Sequence, residues 1–288
     1  MIDKKVLILE GGLNEEHDVS LVTSNEIQKI LKLNKIQFKT LKVNPKNFHE
    51  KIINYKKFVC INALHGPFGE DGQIQKILKE NKIPFSHSNF KSSNICFNKS
   101  ASKKLIIKNK LLSPKHYLLN INKLNEEKLI IIKRKLKKFV IKPNKSGSSF
   151  GIKIIKSQKE FDNLITYLDQ FKNKLFDHKE VLIEEYISGK ELTVSTVKIE
   201  KKIEALAVTE IQYKNKFFDY KAKYSKGYAK HILPASLTKI NYKKCIKFAK
   251  KAHKLLGCNS IARTDFIFDT NKNKIFFLET NTQPGLTP

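Results

Sequence analysis

Apolar and polar positions along this chain follow two periods, and the switches between them outline its elements. Val6–Leu9 is an uninterrupted apolar run closed by Gly11 and Gly12, the pattern of a buried strand. Val19, Leu21, Ile27, Ile30 and Leu31 then recur at helical spacing. Phe58–Ala63 is a second buried strand and runs into the loop LHGPFGEDG. A helix through Ile74, Ile77 and Leu78 and a short strand at Ile83–Phe85 follow. Strand, loop, helix, strand in this order predicts a Rossmann-like parallel α/β layer, with ligand loops at the C-terminal ends of its strands.

The turn-forming stretch SHSNFKSSN, Ser86–Asn94, marks a boundary. Beyond it come a helix over Lys99–Lys108, a basic isoleucine-rich helix, and a strand at Phe139–Lys142. The loop KSGSSFG separates that strand from the next, Ile152–Ile155. A glycine loop between two strands is not the order of a P-loop, in which a helix follows the glycines. Its backbone N–H groups suit a flap folded over phosphates. The last third holds strands at Val181–Glu184, Glu191–Val197 and Ala205–Glu210. A helix through Ile246, Phe248, Ala249, Ala252, Leu255 and Leu256 ends at Gly257, a natural C-cap. Two closing strands, Ser260–Phe268 and Lys274–Glu279, flank the turn DTNKN.

Composition changes this picture little. With 288 residues, 40% of them apolar, the chain has material for two or three packed subdomains. No stretch approaches the about 18 apolar residues of a membrane span, and the N-terminus lacks the pattern of a signal peptide. A cytoplasmic location is expected. Cys60, Cys96, Cys245 and Cys258 are scattered, which argues against a zinc site or a disulfide framework. The net charge of +29 raises nucleic acid as a partner. Yet Arg134 and Arg263 are the only arginines, and bidentate recognition of bases and phosphates favours arginine. Lysine enrichment spread over the whole chain is therefore read as solvated surface, with no nucleic-acid partner. The surviving arginines become candidates for work that lysine cannot do.

The sharpest chemistry lies in the closing strands. Arg263 and Asp265 are two residues apart and share a strand face; Glu279 and Asn281 do the same on the next strand. Pairing these strands gathers Asp265, Glu279 and Asn281, an oxygen-only set suited to magnesium with nucleotide phosphates. Lys142 ends its strand and Lys99 begins its helix, and each gains meaning only from its surroundings. The loop EGGLNEEHDVS lacks the G-x-G-x-x-G of a dinucleotide site. Its acids Glu15, Glu16 and Asp18 suit either an ammonium group or the helix N-terminus.

These motifs coincide, in order and spacing, with one family. GGLNEEHDVSL, LHGPFGEDG, FVIKPNKSGSSFG, VLIEEYISGKELTV, FDYKAKY, LGCNSIARTDF and ETNTQPGLTP together make the chain resemble D-alanine:D-alanine ligases of the ATP-grasp fold, from Lys4 to Pro288. The resemblance implies three parts: an N-terminal substrate domain over 1–93, a central ATP-grasp subdomain over 94–183, and a C-terminal one over 184–288. It implies ATP-dependent joining of two D-alanines through a D-alanyl phosphate, for peptidoglycan precursor synthesis. ATP and magnesium are the expected cofactors, with two ions and manganese as a substitute. By position, Lys99, Lys142 and Lys223 match lysines on the nucleotide phosphates, and Ser149 lies in the phosphate loop. Glu184 and Ile187 match the adenine hinge, Glu191 the ribose acid, and Asp265, Glu279 and Asn281 the magnesium ligands.

Glu16 matches the acid that holds the first D-alanine ammonium, with His65 a neighbour of that substrate. Glu16, Ser148 and Tyr224 match a hydrogen-bonded trio that closes the site. Arg263 and the N–H of Gly285 match the oxyanion donors. Tyr224 resembles the dipeptide-forming enzymes; relatives that make D-alanyl-D-lactate often carry another residue there. The resemblance also implies a homodimer. Relatives continue past GLTP, so the chain is expected to be truncated at its C-terminus. Another ATP-grasp carboxylate–amine ligase, such as one using D-lactate, and an inactive truncated remnant are the alternatives.

Overall fold

The computed structural model describes residues 5–147, 150–213 and 229–285. The first sheet forms from β1 (Val6–Gly11), β2 (Phe38–Val43) and β3 (Val59–Asn62), in the order β2-β1-β3 with all pairs parallel. Helices α1 (His17–Leu33), α2 (Phe48–Ile52) and α3 (Gln73–Glu80) accompany it. Every residue of β1 is buried, as a continuous apolar run in a covered parallel strand requires. On α1, Val19, Ile27 and Leu31 turn inward, whereas Ile30 points to solvent. The expected strand at Ile83–Phe85 is reduced to a single parallel bridge between Cys60 and Phe85. Lys82, at φ +57°, and Pro84 leave little regular ladder there.

Helices α4 (Phe90–Phe97) and α5 (Lys99–Lys108) lead to the second sheet. Asn98 ends the first and caps the second, its side chain accepting from the Ala101 N–H. The sheet contains β4 (His116–Asn120), β5 (Phe139–Pro143), β6 (Lys153–Ile155) and β7 (Glu180–Glu185), ordered β4-β7-β5-β6 and antiparallel. Helices α6 (Glu126–Leu136), α7 (Gln158–Thr166) and α8 (Leu168–Lys174) supply Leu129, Ile132, Phe161, Leu164 and Phe171 to its core. Phe139, Ile141, Val181 and Ile183 close that core from the sheet side. Their alternate neighbours Lys142, Leu182 and Glu184 therefore face the other way.

The third sheet contains β8 (Lys190–Ile199), β9 (Lys202–Tyr213), β10 (Ala229–Ile232), β11 (Ile261–Asp269) and β12 (Lys274–Asn281), ordered β10-β9-β8-β11-β12. Helix α9 (Lys239–Leu255) covers one side, burying Cys245, Phe248, Ala249 and Ala252 against Leu192, Val194, Phe266 and Phe268. The Phe248 and Phe266 rings lie 5.0 Å apart. Gly257 follows this helix at φ +67°, where a side chain would be strained. The chain leaves the second sheet at Glu185 and enters the third at Lys190, so the four residues between them form the crossing. Among the described residues no helix is long and apolar enough to cross a membrane, and all four cysteines are buried free thiols.

Candidate active site

Strand register assembles the C-terminal part of the site. Asp265 pairs with Glu279 across β11–β12, and Arg263 with Asn281. On the other side of β11, Asp265 pairs with Thr193 of β8 and Ile267 with Glu191. Period-two alternation places Arg263, Asp265, Glu279, Asn281, Thr193 and Glu191 on one face, opposite the side buried under α9. The spacing argument from the sequence thus holds for Arg263, Asp265, Glu279 and Asn281.

Asp265 is the focus of the cluster. Arg263 forks onto it, Nε to Oδ1 and Nη2 to Oδ2, both at 3.0 Å. Thr193 Oγ1 donates to Oδ1 at 2.6 Å, and Asn281 Nδ2 to Oδ2 at 3.1 Å. The Asp265 charge, with help from Glu279 and Glu70, holds the guanidinium pKa above its ordinary value against the cost of burial. Lys99, at the start of α5, reaches Glu279 Oε2 at 3.3 Å and donates to the Ser146 carbonyl at 2.6 Å. One ammonium thus ties the acid of β12 to the glycine–serine loop.

Among the described residues no three His, Cys, Asp or Glu side chains form a ready metal cage. The Asp265, Glu279 and Asn281 set has two acids and one amide, all hard oxygen donors. That chemistry fits magnesium, which takes few protein ligands and fills its shell with water and phosphate oxygens.

The second sheet faces this cluster with a buried charge group. Glu184 Oε1 lies 2.5 Å from Lys142 Nζ, and Oε2 lies 2.9 Å from Lys103 Nζ. Burial raises the Glu184 carboxyl, but the two ammonium groups outweigh it and hold the pKa at about 2. Lys103 is pushed down to about 8 by burial despite Glu184. Lys142 moves upward, because Glu184, Glu279 and Glu191 overcome its burial. Lys103 also donates to Ser113 Oγ at 3.2 Å and to the Phe277 carbonyl at 3.3 Å, joining α5 to β12. Ile187 is buried in the crossing between the two sheets, three residues after Glu184.

The N-terminal loops complete the cleft. Glu16 is buried at the N-terminus of α1. A Cβ added to Gly147 would lie 2.6 Å from Glu16 Oε2, and one added to Gly66 only 2.5 Å from it. A side chain at either glycine would therefore have to displace this carboxylate. His65 is held at both ring nitrogens, Nε2 by Thr23 Oγ1 at 2.9 Å and Nδ1 by Glu70 Oε1 at 3.1 Å. Gly285 sits beside it: a Cβ there would be 3.7 Å from His65 Cε1. Gln283 anchors this last segment, donating to the Asn62 carbonyl at 2.5 Å.

Ser148, Ser149, Lys223 and Tyr224 lie outside the described residues. Lys103, Glu70, Thr193 and Gln283 are in the cluster although the sequence did not single them out. Lys103 carried a signal: it follows Lys99 by four residues and so shares its helix face.

Comparison with known proteins bears on what this cleft does. Residues 118–288 match the family model described as D-ala D-ala ligase C-terminus. A D-alanine–D-alanine ligase of Pelagibacter ubique (strain HTCC1062) is 41% identical over 290 residues, spanning 99% of this chain and 89% of that protein. The crystal structure of the D-alanine–D-alanine ligase from Bacillus anthracis complexed with ATP superposes with a TM-score of 0.76 at 29% identity, covering 99% and 88% of the two chains. The VanG D-Ala:D-Ser ligase from Enterococcus faecalis gives a TM-score of 0.78 at 26% identity, covering 99% and 91%.

Proposed function

This chain belongs to the D-alanine–D-alanine ligase family, and from that premise we propose how its cleft carries out the ligation. The reaction is the ATP-dependent joining of two D-alanines to D-alanyl-D-alanine for peptidoglycan synthesis. The observation that carries the site assignment is the in-register opposition of Asp265 and Glu279, with Arg263 and Asn281 paired beside them.

ATP lies between the second and third sheets in this reading. Lys142 and Lys99, with Lys223, neutralise its phosphates, and the loop containing Ser149 folds over them. Glu184 and Ile187 take the adenine where the chain crosses between sheets, and Glu191 takes the ribose. Asp265, Glu279 and Asn281 would hold magnesium, as two ions or with manganese in its place, and its positive charge would offset that on the phosphoryl oxygens.

Glu16 holds the ammonium of the first D-alanine, and His65 lies beside that substrate. The substrate carboxylate takes the γ-phosphoryl group, giving an acyl phosphate and ADP. The amine of the second D-alanine, as its free base, then attacks the acyl carbon; the C–N bond forms, phosphate leaves with the bonding pair, and the nitrogen gives up a proton. Two of the five guanidinium N–H groups of Arg263 serve Asp265, so the fork retains donors for the tetrahedral oxyanion, with the Gly285 N–H as the second. Glu16, Ser148 and Tyr224 close the site, excluding water that would hydrolyse the acyl phosphate. We place the enzyme in the cytoplasm as a homodimer. The exposed apolar residues Val22, Ile30 and Leu33 of α1 support a covered face, and sedimentation of the pure protein tests it.

The assignment is tested by ADP release with D-alanine or L-alanine alone, and with D-alanine plus D-serine or D-lactate, with the product identified by mass. D-alanine alone is expected to drive turnover and give D-alanyl-D-alanine. Thermal stabilisation by ATP and magnesium with no D-alanine-dependent turnover would instead mark an inactive chain. A mixed product with D-serine or D-lactate in place of D-alanyl-D-alanine would shift the second-substrate assignment.

Gly147→Ala tests the Glu16 contact. The added methyl group meets the carboxylate at 2.6 Å, so one of them must move. A displacement near 1 Å in a substrate-positioning group costs on the order of 100-fold, expected here in kcat/KM for D-alanine. An unchanged D-alanine kcat/KM would remove Glu16 from the substrate site.

A further inference from the structure

The nucleotide face of the third sheet carries one more polar group, on a strand that the assignment above leaves unused. Tyr213, the last residue of β9, donates its phenol O–H to Glu191 Oε1 at 2.7 Å. Glu191 pairs with Ile211 across β8–β9, so Tyr213 lies one diagonal step further along the same sheet face. That face also bears Thr193 and Asp265. Glu191 therefore stands in line with the candidate magnesium site, and its charge reaches the Lys142 ammonium.

We propose that Tyr213 is a positioning residue that aims Glu191 at the ribose hydroxyls of ATP and so makes the site prefer ribonucleotides to deoxyribonucleotides. The inference rests on the assignment of Glu191 to ribose. A glutamate carries three side-chain torsions, and a diol is recognised only by a carboxylate held in one orientation. Tyrosine supplies that constraint at low entropy, having a rigid ring and two torsions. Its backbone is fixed by pairing with Ala229 of β10. The bond is charge-assisted and short, the strong class of hydrogen bond. Burial and the Glu191 charge both raise the phenol pKa, so it remains a donor throughout the working pH range. A carboxylate offers about four acceptor positions, so one bond from a phenol does not exhaust it.

The experiment compares ATP, 2′-deoxy-ATP and 3′-deoxy-ATP as substrates at saturating D-alanine for the wild-type enzyme and for Tyr213→Phe, Glu191→Gln and the double variant. Tyr213→Phe keeps the ring and removes only the donor. It is expected to raise KM for ATP about fivefold, the worth of one net hydrogen bond, with kcat little changed. The preference for ATP over the deoxy substrates should fall by the same factor, because those substrates never used the full contact. Glu191→Gln should lower the preference further, and Tyr213→Phe should add nothing in that background. If Glu191→Gln abolishes the preference while Tyr213→Phe keeps wild-type KM and selectivity, the role of Tyr213 is overturned and the ribose assignment stands. If Glu191→Gln leaves the preference intact, the ribose assignment fails and takes Tyr213 with it. Additive losses in the double variant would also overturn the proposal, since the two residues would then act separately.

Discussion

Glu184→Gln is expected to destabilise the protein by about 3–5 kcal/mol, because it leaves two buried ammonium groups without their carboxylate. Lys103 has no exposed side-chain surface and Lys142 little, and both touch Glu184, at 2.9 and 2.5 Å. The depression of the Glu184 pKa from 4.5 to about 2 points to the same scale, about 3 kcal/mol at 1.36 kcal/mol per unit. The sign follows from the direction. A carboxyl depressed in the folded state contributes stability that is complete above its unfolded value of 4.5 and is lost as pH falls through about 2. Lys103 acts oppositely: depressed to about 8, it carries a cost below that pH that is relieved as pH rises toward 10.5.

Urea melts of the two proteins between pH 2 and 7 check this. The wild-type advantage should be full at pH 5–7 and shrink toward pH 2. Lys103→Met combined with Glu184→Gln should lose less than the sum of the single changes, since one stranded charge is removed with its partner. Equal stability of Glu184→Gln and wild type at pH 7 would show that the buried charge group contributes nothing to the fold.

This charge group also shows where reading the sequence stops. The Arg263, Asp265, Glu279 and Asn281 cluster was legible because two strands and a short turn put it together locally. Alternation sets each pair on one face, and a hairpin leaves few registers open. Lys103 was not legible by type, since lysine is the commonest charged residue here and burial leaves no mark on identity. Thr193 and Glu191 join the site because β8, not a neighbour in sequence, lies beside β11, and period-two patterning says nothing about strand order. Among the elements, α2, α4, α7, α8, β2, β4 and β10 escaped notice, and α4 begins inside the Ser86–Asn94 stretch read as turn-forming. Lysines interrupt β2, and no residue of β4 is fully buried, so neither shows a clean apolar run. Helix α7 had a readable start: Ser157 and Glu160 form a reciprocal capping box. The edges of β5, β7, β8 and β11 fell within a residue or two of expectation, because their apolar runs are fully buried on one side.

Arg263→Lys is expected to lower kcat by about 100- to 1000-fold, the cost of losing one preorganised oxyanion donor, while leaving KM for ATP near its wild-type value. The separation follows from how Asp265 is held. Thr193 at 2.6 Å and Asn281 at 3.1 Å keep the carboxylate in place without the fork, so the proposed magnesium and nucleotide subsite persists. A lysine ammonium can replace one of the two parallel contacts to Asp265, not both, and its single charged tip cannot serve the carboxylate and the oxyanion together. Asp265→Asn should behave differently, weakening the nucleotide and metal interaction as well as turnover. Arg134→Lys is the matched control: it lies exposed on α6, and a surface exchange of this kind changes stability by less than about 0.5 kcal/mol. Steady-state kinetics in ATP and D-alanine for all three variants reads the result. Full turnover in Arg263→Lys would mean that the guanidinium only braces Asp265, and the oxyanion would then need another donor besides Gly285. A severe loss confined to kcat, absent from Arg134→Lys, fits a chain in which lysine fills nearly every basic position and arginine remains where two directed N–H groups are needed at once.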